Sequence, residues 1–404
     1  MTTRRTFLVS TAAAPAFARP AKSVSILPDL ENRIARHDFR GLTREDLPTP
    51  SMVVDLDLFE KNVKTMADHC KRTGISVRSH VKIHKSTDIS KRQIAAGAIG
   101  VSCATIAECE LLVNAGVKGV LHTCQPSGRN KITRAAALAK RDSTFITAVD
   151  DPIIAEQLDE AAATARTRIN VVVDVYAGLT RQGCQPATAL ALAQKVASSK
   201  NLSLKGLMAY SGNASHTHGF EARTKRSSDD LAAMLEAFEA CKKSGLPVEI
   251  KTGGSTGTYN IDVGSLTELQ AGSYIFMDTA YVKIGGKSHP VNYDDFAAAL
   301  VVLTTVVSKT RAGLCSIDAG NKAMLRTSDA VKGRSDVKIE NQGAEYGLLV
   351  WKDGDRDYKV GDKAEIYPTN LDTSTNVYDR YYVARGEQIV DVWPIMGRAG
   401  APQR

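Results

Sequence analysis

From residue 51 to residue 288 the chain alternates short aliphatic and β-branched runs with longer stretches whose apolar positions recur at helical spacing. The short runs predict strands at Ile75–Lys82, Gly100–Cys103, Gly119–Thr123, Thr144–Val149, Ile169–Val175, Leu204–Ala209, Val248–Thr252 and Glu268–Phe276. The periodic stretches predict helices at Leu58–Thr73, Ile106–Ala115, Ile132–Lys140, Ile153–Ala163, Ala187–Ser198 and Ser227–Lys243. Eight strands separated mainly by helices over about 200 residues is the pattern of an α/β fold of the (β/α)8, TIM-barrel type. A doubly wound open sheet is the alternative, because periodicity alone does not close a sheet. From 289 to 404 the period changes to short alternating runs, Val301–Ser308, Ala364–Tyr367, Arg380–Ala384 and Gln388–Val392, separated by Gly, Asp and Asn turns. That predicts a β-rich C-terminal domain, into which a strand at Ser51–Asp55, just before the barrel, is free to pair. Residues 22–50 are polar and end in Leu47-Pro48-Thr49-Pro50, a lead-in segment.

Composition changes this picture little. Hydrophobic residues make up 43% of the 404 and charged residues 24%, as in an ordinary globular chain. The net charge of +8 is scattered among acidic residues, with no basic stripe interleaved with aromatics, so nucleic acid is not an expected partner. A mildly basic surface favours anionic small substrates instead. No stretch approaches the roughly 18 apolar residues of a membrane span. The 7 cysteines (Cys70, Cys103, Cys109, Cys124, Cys184, Cys241, Cys315) are dispersed, without a CxxC pair, which argues against a disulfide framework. Residues 1–21 stand apart: Arg4-Arg5 precede a short apolar run from Phe7, and Ala16-Phe17-Ala18 offers a small-residue cleavage site. The segment resembles a twin-arginine export signal, which predicts a periplasmic protein, or a cytoplasmic one if the signal does not function.

Chemistry is expected where barrel strands end. The first strand closes with Val77-Arg78-Ser79-His80-Val81-Lys82-Ile83-His84-Lys85, and alternation puts Arg78, His80 and Lys82 on one face. Burying that triplet is costly unless something ionic meets it. A partly desolvated strand-end lysine is also what imine chemistry requires; taken alone, Lys82 reads more readily as a surface lysine. After the seventh strand comes Thr252-Gly253-Gly254-Ser255-Thr256-Gly257-Thr258-Tyr259, a glycine turn of the kind that wraps a phosphate with backbone N–H groups. The loops after strands five and six carry Asp174 to Gly183 and Ala209-Tyr210-Ser211-Gly212-Asn213, which supply groups for a planar cofactor.

Five segments in order, RSHVKIHKS, GLMAYSGN, GGSTGTY, ELQAGSYIFMD and DRYYVARGEQIVDVWPI, resemble the D-threonine aldolase and D-serine dehydratase family, across roughly residues 45 to 397. The resemblance implies a fold-type III enzyme, usually a homodimer, that uses pyridoxal 5′-phosphate (PLP) on D-configured 3-hydroxy amino acids. It implies that Lys82 holds PLP as a Schiff base, with Tyr210 against the ring. It places Gly253, Gly254, Ser255 and Thr256 at the phosphate and Arg181 on the ring or hydroxyl side; a helix-capping or interface ion pair is the alternative for Arg181. The resemblance weakens at the metal site, which implies a divalent cation, Mn or Mg. Asn370 stands where the family has histidine, Asp372 is kept, and Tyr346 and Ser211 replace two further histidines. Asn370 and Asp372 are therefore candidate metal donors, or hold a turn. Aldol cleavage of D-threonine-type substrates to glycine and an aldehyde ranks first. Dehydration of D-serine or D-3-hydroxyaspartate, racemisation and non-catalytic PLP binding follow in that order.

Overall fold

The computed structural model describes residues 26–324, 330–341, 343–352 and 357–398. The export signal expected at 1–21 lies outside them. The chain divides into a unit ending at Phe39 and a unit from Arg40 onward. In the first, helix α1 (Ile26–Ala35) occupies part of the lead-in segment, which the sequence pattern did not mark as helical. The proline at its third position is compatible with a helix start, and the Arg33 Nε–H donates to the Asp38 carbonyl at its end.

In the second unit, eight parallel strands close into a barrel: β2 (Ser76–His80), β3 (Gly100–Cys103), β4 (Val120–His122), β5 (Ile146–Val149), β6 (Ile169–Asp174), β7 (Leu202–Ala209), β8 (Ile250–Gly253) and β9 (Glu268–Leu269). β1 (Ser51–Asp55) lies outside it. The helices between them are α2 (Leu56–Thr73), α3 (Thr87–Ala95), α4 (Ile106–Asn114), α5 (Arg129–Arg141), α6 (Pro152–Ala165), α7 (Pro186–Ser198), the one-turn α8 (Gly212–Ser215) and α9 (Phe220–Lys243). Their starts are set locally. Asp55 accepts from the Leu58 N–H, Thr105 and Glu108 form a capping box, and Asp151 precedes a proline. Strands β3, β4 and β5 are buried at every residue, which is why they read as continuous apolar runs. Leu121, Ile146, Ala148, Val172 and Met208 pack together as a cluster of their own.

The last barrel strand is shorter than the run Glu268–Phe276 predicts. Gln270 turns its side-chain amide to the Thr252 hydroxyl at 3.0 Å, and Ser273–Ile275 form a tight turn that buries Tyr274 and Ile275. Burial, rather than strand pairing, accounts for the apolar character of that run.

Past the one-turn helix α10 (Thr279–Val282), the chain builds a second, eight-stranded sheet. Its later strands are β10 (Leu300–Arg311), β11 (Leu314–Ile317), β12 (Lys338–Asn341), β13 (Gly347–Val350), β14 (Lys363–Ile366), β15 (Arg380–Arg385) and β16 (Gln388–Pro394). The order is β12-β13-β11-β10-β1-β15-β16, with β14 also on β10. β1 pairs antiparallel with β10 and parallel with β15, so the first strand of this unit is central to a sheet otherwise built from its C-terminal strands. The one-turn α11 (Leu371–Ser374) lies between β14 and β15.

Candidate active site

β2 ends at His80, and a tight turn over Val81–Ile83 follows immediately. The His80 ring sets that turn: its Nδ1 accepts the Lys82 backbone N–H at 3.2 Å. The proton of the neutral ring is then on Nε2, which faces the Thr123 hydroxyl at 3.5 Å. Burial, with Lys82 and Lys85 nearby, holds the His80 pKa well below the ordinary histidine value, so the ring is neutral. Lys82 leaves the turn with its Nζ 2.9 Å from Asp372 Oδ2. Burial acts to lower the lysine's pKa, but Tyr210 and Asp372 outweigh it and the net direction is upward. The Lys85 ammonium donates to the Lys82 carbonyl at 2.7 Å and fixes the far side of the turn.

Arg78, the first member of the polar triplet, points the other way along the barrel. Its guanidinium forms a two-pronged pair with Glu268, at 2.8 Å on each prong, and donates to the Gly119 carbonyl. The ionic partner that the triplet called for is thus supplied by the last barrel strand.

Lys82 opens into a cavity of about 320 Å³. Arg181, Tyr210, Ser255, Thr256, Asn370 and Asp372 line it as well. Gly253 and Gly254 do not line it; they make the turn that presents the next two residues. A Cβ on Gly253 would lie 2.0 Å from the Ala209 carbonyl oxygen, and Gly254 has φ +70° with Asp262 and Leu269 pressed against it. The Tyr210 hydroxyl accepts from Ser215 at 3.1 Å, and the Arg181 guanidinium lies 5.5 Å from the centre of the Tyr210 ring.

Three further groups of the cavity wall were not singled out in the sequence. His216 follows α8, which folds the chain back from Tyr210, and its ring lies 4.3 Å from that of Tyr281. Burial and the positive charge of Lys82 lower the His216 pKa, which favours a neutral imidazole. Asp278 caps α10 through the Tyr281 N–H at 3.1 Å, and burial raises its pKa to about 7. Burial also pushes the Tyr281 hydroxyl well above its usual range, so it stays protonated. The signal for His216 was its place in Ser215-His216-Thr217-His218, just past a strand-end tyrosine; what was missing was the single helical turn that returns it to the cavity.

The alanine racemase N-terminal domain family matches residues 54–280, and the serine dehydratase domain matches 299–384. The chain is 35% identical over 365 residues to 3-hydroxy-D-aspartate aldolase of Paracoccus denitrificans (strain Pd 1222), covering 89% of this chain and 94% of that protein. It belongs to the alanine-racemase-type family of D-threonine aldolases and D-serine dehydratases. D-threonine aldolase of Arthrobacter sp is 31% identical over 87% of this chain and 92% of its own length. The crystal structure of D-threonine aldolase from Filomicrobium marinum superposes with a TM-score of 0.83 at 33% identity, covering 89% of this chain and 98% of that one.

PLP is the cofactor this family implies, and the residues present fit it. The cavity falls within the few hundred cubic ångströms of small-ligand sites, with an amine at one side and a glycine-built turn at another. Lys82 would carry the cofactor, Ser255 and Thr256 would meet its phosphate, and Tyr210 and Arg181 would flank its ring. The implied metal fits poorly. Asn370 spends its side-chain oxygen as the cap of α11, accepting the Thr373 N–H at 3.2 Å, and Asp372 is paired with Lys82. Among the described residues no three His, Cys, Asp or Glu side chains gather as a metal-holding group.

Proposed function

We propose that the chain is a PLP-dependent lyase that cleaves D-3-hydroxy amino acids of the D-threonine type between Cα and Cβ, releasing glycine and an aldehyde. The observation that carries this reading is the Lys82 amine, 2.9 Å from Asp372, sharing one cavity with the loop residues Ser255 and Thr256. PLP, when bound, would hold the substrate's amino nitrogen and accept the electron pair left at Cα. The chain's own groups supply the proton traffic. His216, as a neutral imidazole, takes the 3-hydroxyl proton as the Cα–Cβ bond breaks and the carbonyl forms at Cβ. The Lys82 ammonium, beside Asp372, returns a proton to Cα. Arg181 and Tyr210 orient the ring, and the buried, protonated Tyr281 backs His216.

Dehydration of D-serine or D-3-hydroxyaspartate is the second reading, favoured by the serine dehydratase domain match over 299–384. It asks hydroxide to leave from Cβ, a step usually assisted by a Lewis acid. The divalent cation implied by the resemblance, Mn or Mg, would have Asn370 and Asp372 as donors, but Asn370 caps α11 and Asp372 is paired with Lys82.

Incubating the purified chain with D-threonine, D-3-hydroxyaspartate, D-serine and their L-enantiomers separates the readings. Glycine with the matching aldehyde supports the aldolase; a 2-oxo acid supports the dehydratase. A PLP spectrum with no product from any of them refutes both. The working form is proposed to be a homodimer, as the resemblance implies, and light scattering at twice the chain mass is the expected result.

A further inference from the structure

Residues 368–376 read Pro-Thr-Asn-Leu-Asp-Thr-Ser-Thr-Asn, and Thr369, Asn370 and Asp372 among them face the cavity. Asn370 starts α11. Its Oδ1 accepts the Thr373 N–H at 3.2 Å and the Thr373 hydroxyl at 3.1 Å. An amide oxygen has two lone pairs, and here both have local donors. The other terminus of the side chain is an N–H2, which donates and cannot ligate a cation. Asp372 has one oxygen on Lys82, and its Oδ1 is buried without a hydrogen-bond partner. The nearby Asp278 is also committed, accepting the Tyr281 N–H and, at 3.5 Å, the Leu371 N–H.

We infer that the chain performs its cleavage without a resident divalent cation, Asp372 serving as the carboxylate partner of Lys82. This rests on the lyase reading above. Mg2+, Mn2+ and Ca2+ want about six oxygen ligands and zinc wants histidine or thiolate. The wall's carboxylates, Asp278 and Asp372, are already paired, and with His80, Cys124 and His216 they form no group of three metal donors among the described residues. Cleavage balances without a metal: the hydroxyl proton passes to His216, the Cβ–O bond becomes a carbonyl, the Cα–Cβ pair stays with Cα, and Cα is then protonated.

The test uses the full-length chain loaded with PLP and dialysed against EDTA. Metal per chain is counted by plasma mass spectrometry, and Mn2+ binding is followed by the paramagnetic resonance of the free ion. The inference expects less than about 0.1 equivalent of metal and no binding of added Mn2+. It also expects D-threonine turnover to stay within about twofold of the undialysed enzyme. A full equivalent of bound Mn2+, or a loss of turnover on EDTA treatment that Mn2+ restores, overturns it. Asn370→His is expected to hold Mn2+ or Zn2+ through dialysis that strips the parent chain; equal retention by the parent overturns the inference. If no D-3-hydroxy amino acid gives glycine, the lyase reading falls, while the metal counts still decide this one.

Discussion

Arg78 and Glu268 form a pair inside the barrel whose side chains are 6% and 4% exposed. Taking away one partner leaves a buried, uncompensated charge, so Glu268→Ala is expected to cost about 3–5 kcal/mol in chemical denaturation, and Glu268→Gln less. An unchanged unfolding midpoint for Glu268→Ala would show the pair to be solvated. Asp262 is a different kind of buried group. It accepts the Ser227 hydroxyl at 2.6 Å, and its other oxygen has no partner behind Gly254. Burial raises its pKa from 3.8 to about 6. The folded chain therefore binds this proton more tightly than the unfolded chain, and the associated stability is lost as pH rises from about 4 through about 6. Asp262→Asn, uncharged throughout, is expected to gain melting temperature relative to the parent as pH climbs through that window. A difference between the two chains that does not change with pH would overturn the assignment. At this scale Lys82 was legible through the family motif and not through the strand face expected for Arg78, His80 and Lys82, since β2 ends at His80 and the lysine stands in the turn that follows. The sequence did not announce that Arg78 is answered by Glu268, 190 residues away, since the meeting of the first and last strands that closes the barrel is not a local property.

Where two elements touch, the absence of a side chain is as informative as its presence. β7 and β8 approach so closely that Gly253 has the Ala209 carbonyl in the position its Cβ would take, and Gly206 meets the Ile250 carbonyl in the same way. Gly253→Ala must spread the strands that set Tyr210 and the Ser255-Thr256 turn. Its expected outcome is PLP binding weaker by on the order of tenfold, about 1.4 kcal/mol, with a lowered melting temperature. Cofactor titration by absorbance measures it, and parental affinity would remove the loop's role. Most elements could be read from period alone: Gly100–Cys103 coincides with β3, and Ala187–Ser198 falls within α7. The failures share a cause. The run Glu268–Phe276 is apolar because it is buried, yet only Glu268–Leu269 are paired as strand, and α8 and α11 are single turns too short to leave a periodic trace. The turn α8 brings His216 into the cavity and α10 carries Tyr281 with Asp278 as its cap, so the groups not singled out in the sequence are those built on single turns.

Across the whole molecule, β1 precedes the barrel in sequence yet pairs Ser51 with Leu303 and Met52 with Tyr381. Such a sheet is completed only when residues far apart in the chain have been brought together. A chain with this connectivity and a cofactor to acquire is best folded before it crosses a membrane. That supports the proposal that Arg4-Arg5 and the apolar run from Phe7 direct export in the folded state. Expressed from its own start in a bacterium with a twin-arginine pathway, the protein is expected in the periplasmic fraction, shortened at its N-terminus and already carrying PLP. Replacing Arg4 and Arg5 with lysine is expected to retain it, full-length and equally loaded, in the cytoplasm. Mass spectrometry of the two fractions reads both the cleavage and the cofactor. Equal cytoplasmic retention of the parent and the lysine variant would overturn the export proposal and leave the barrel chemistry untouched.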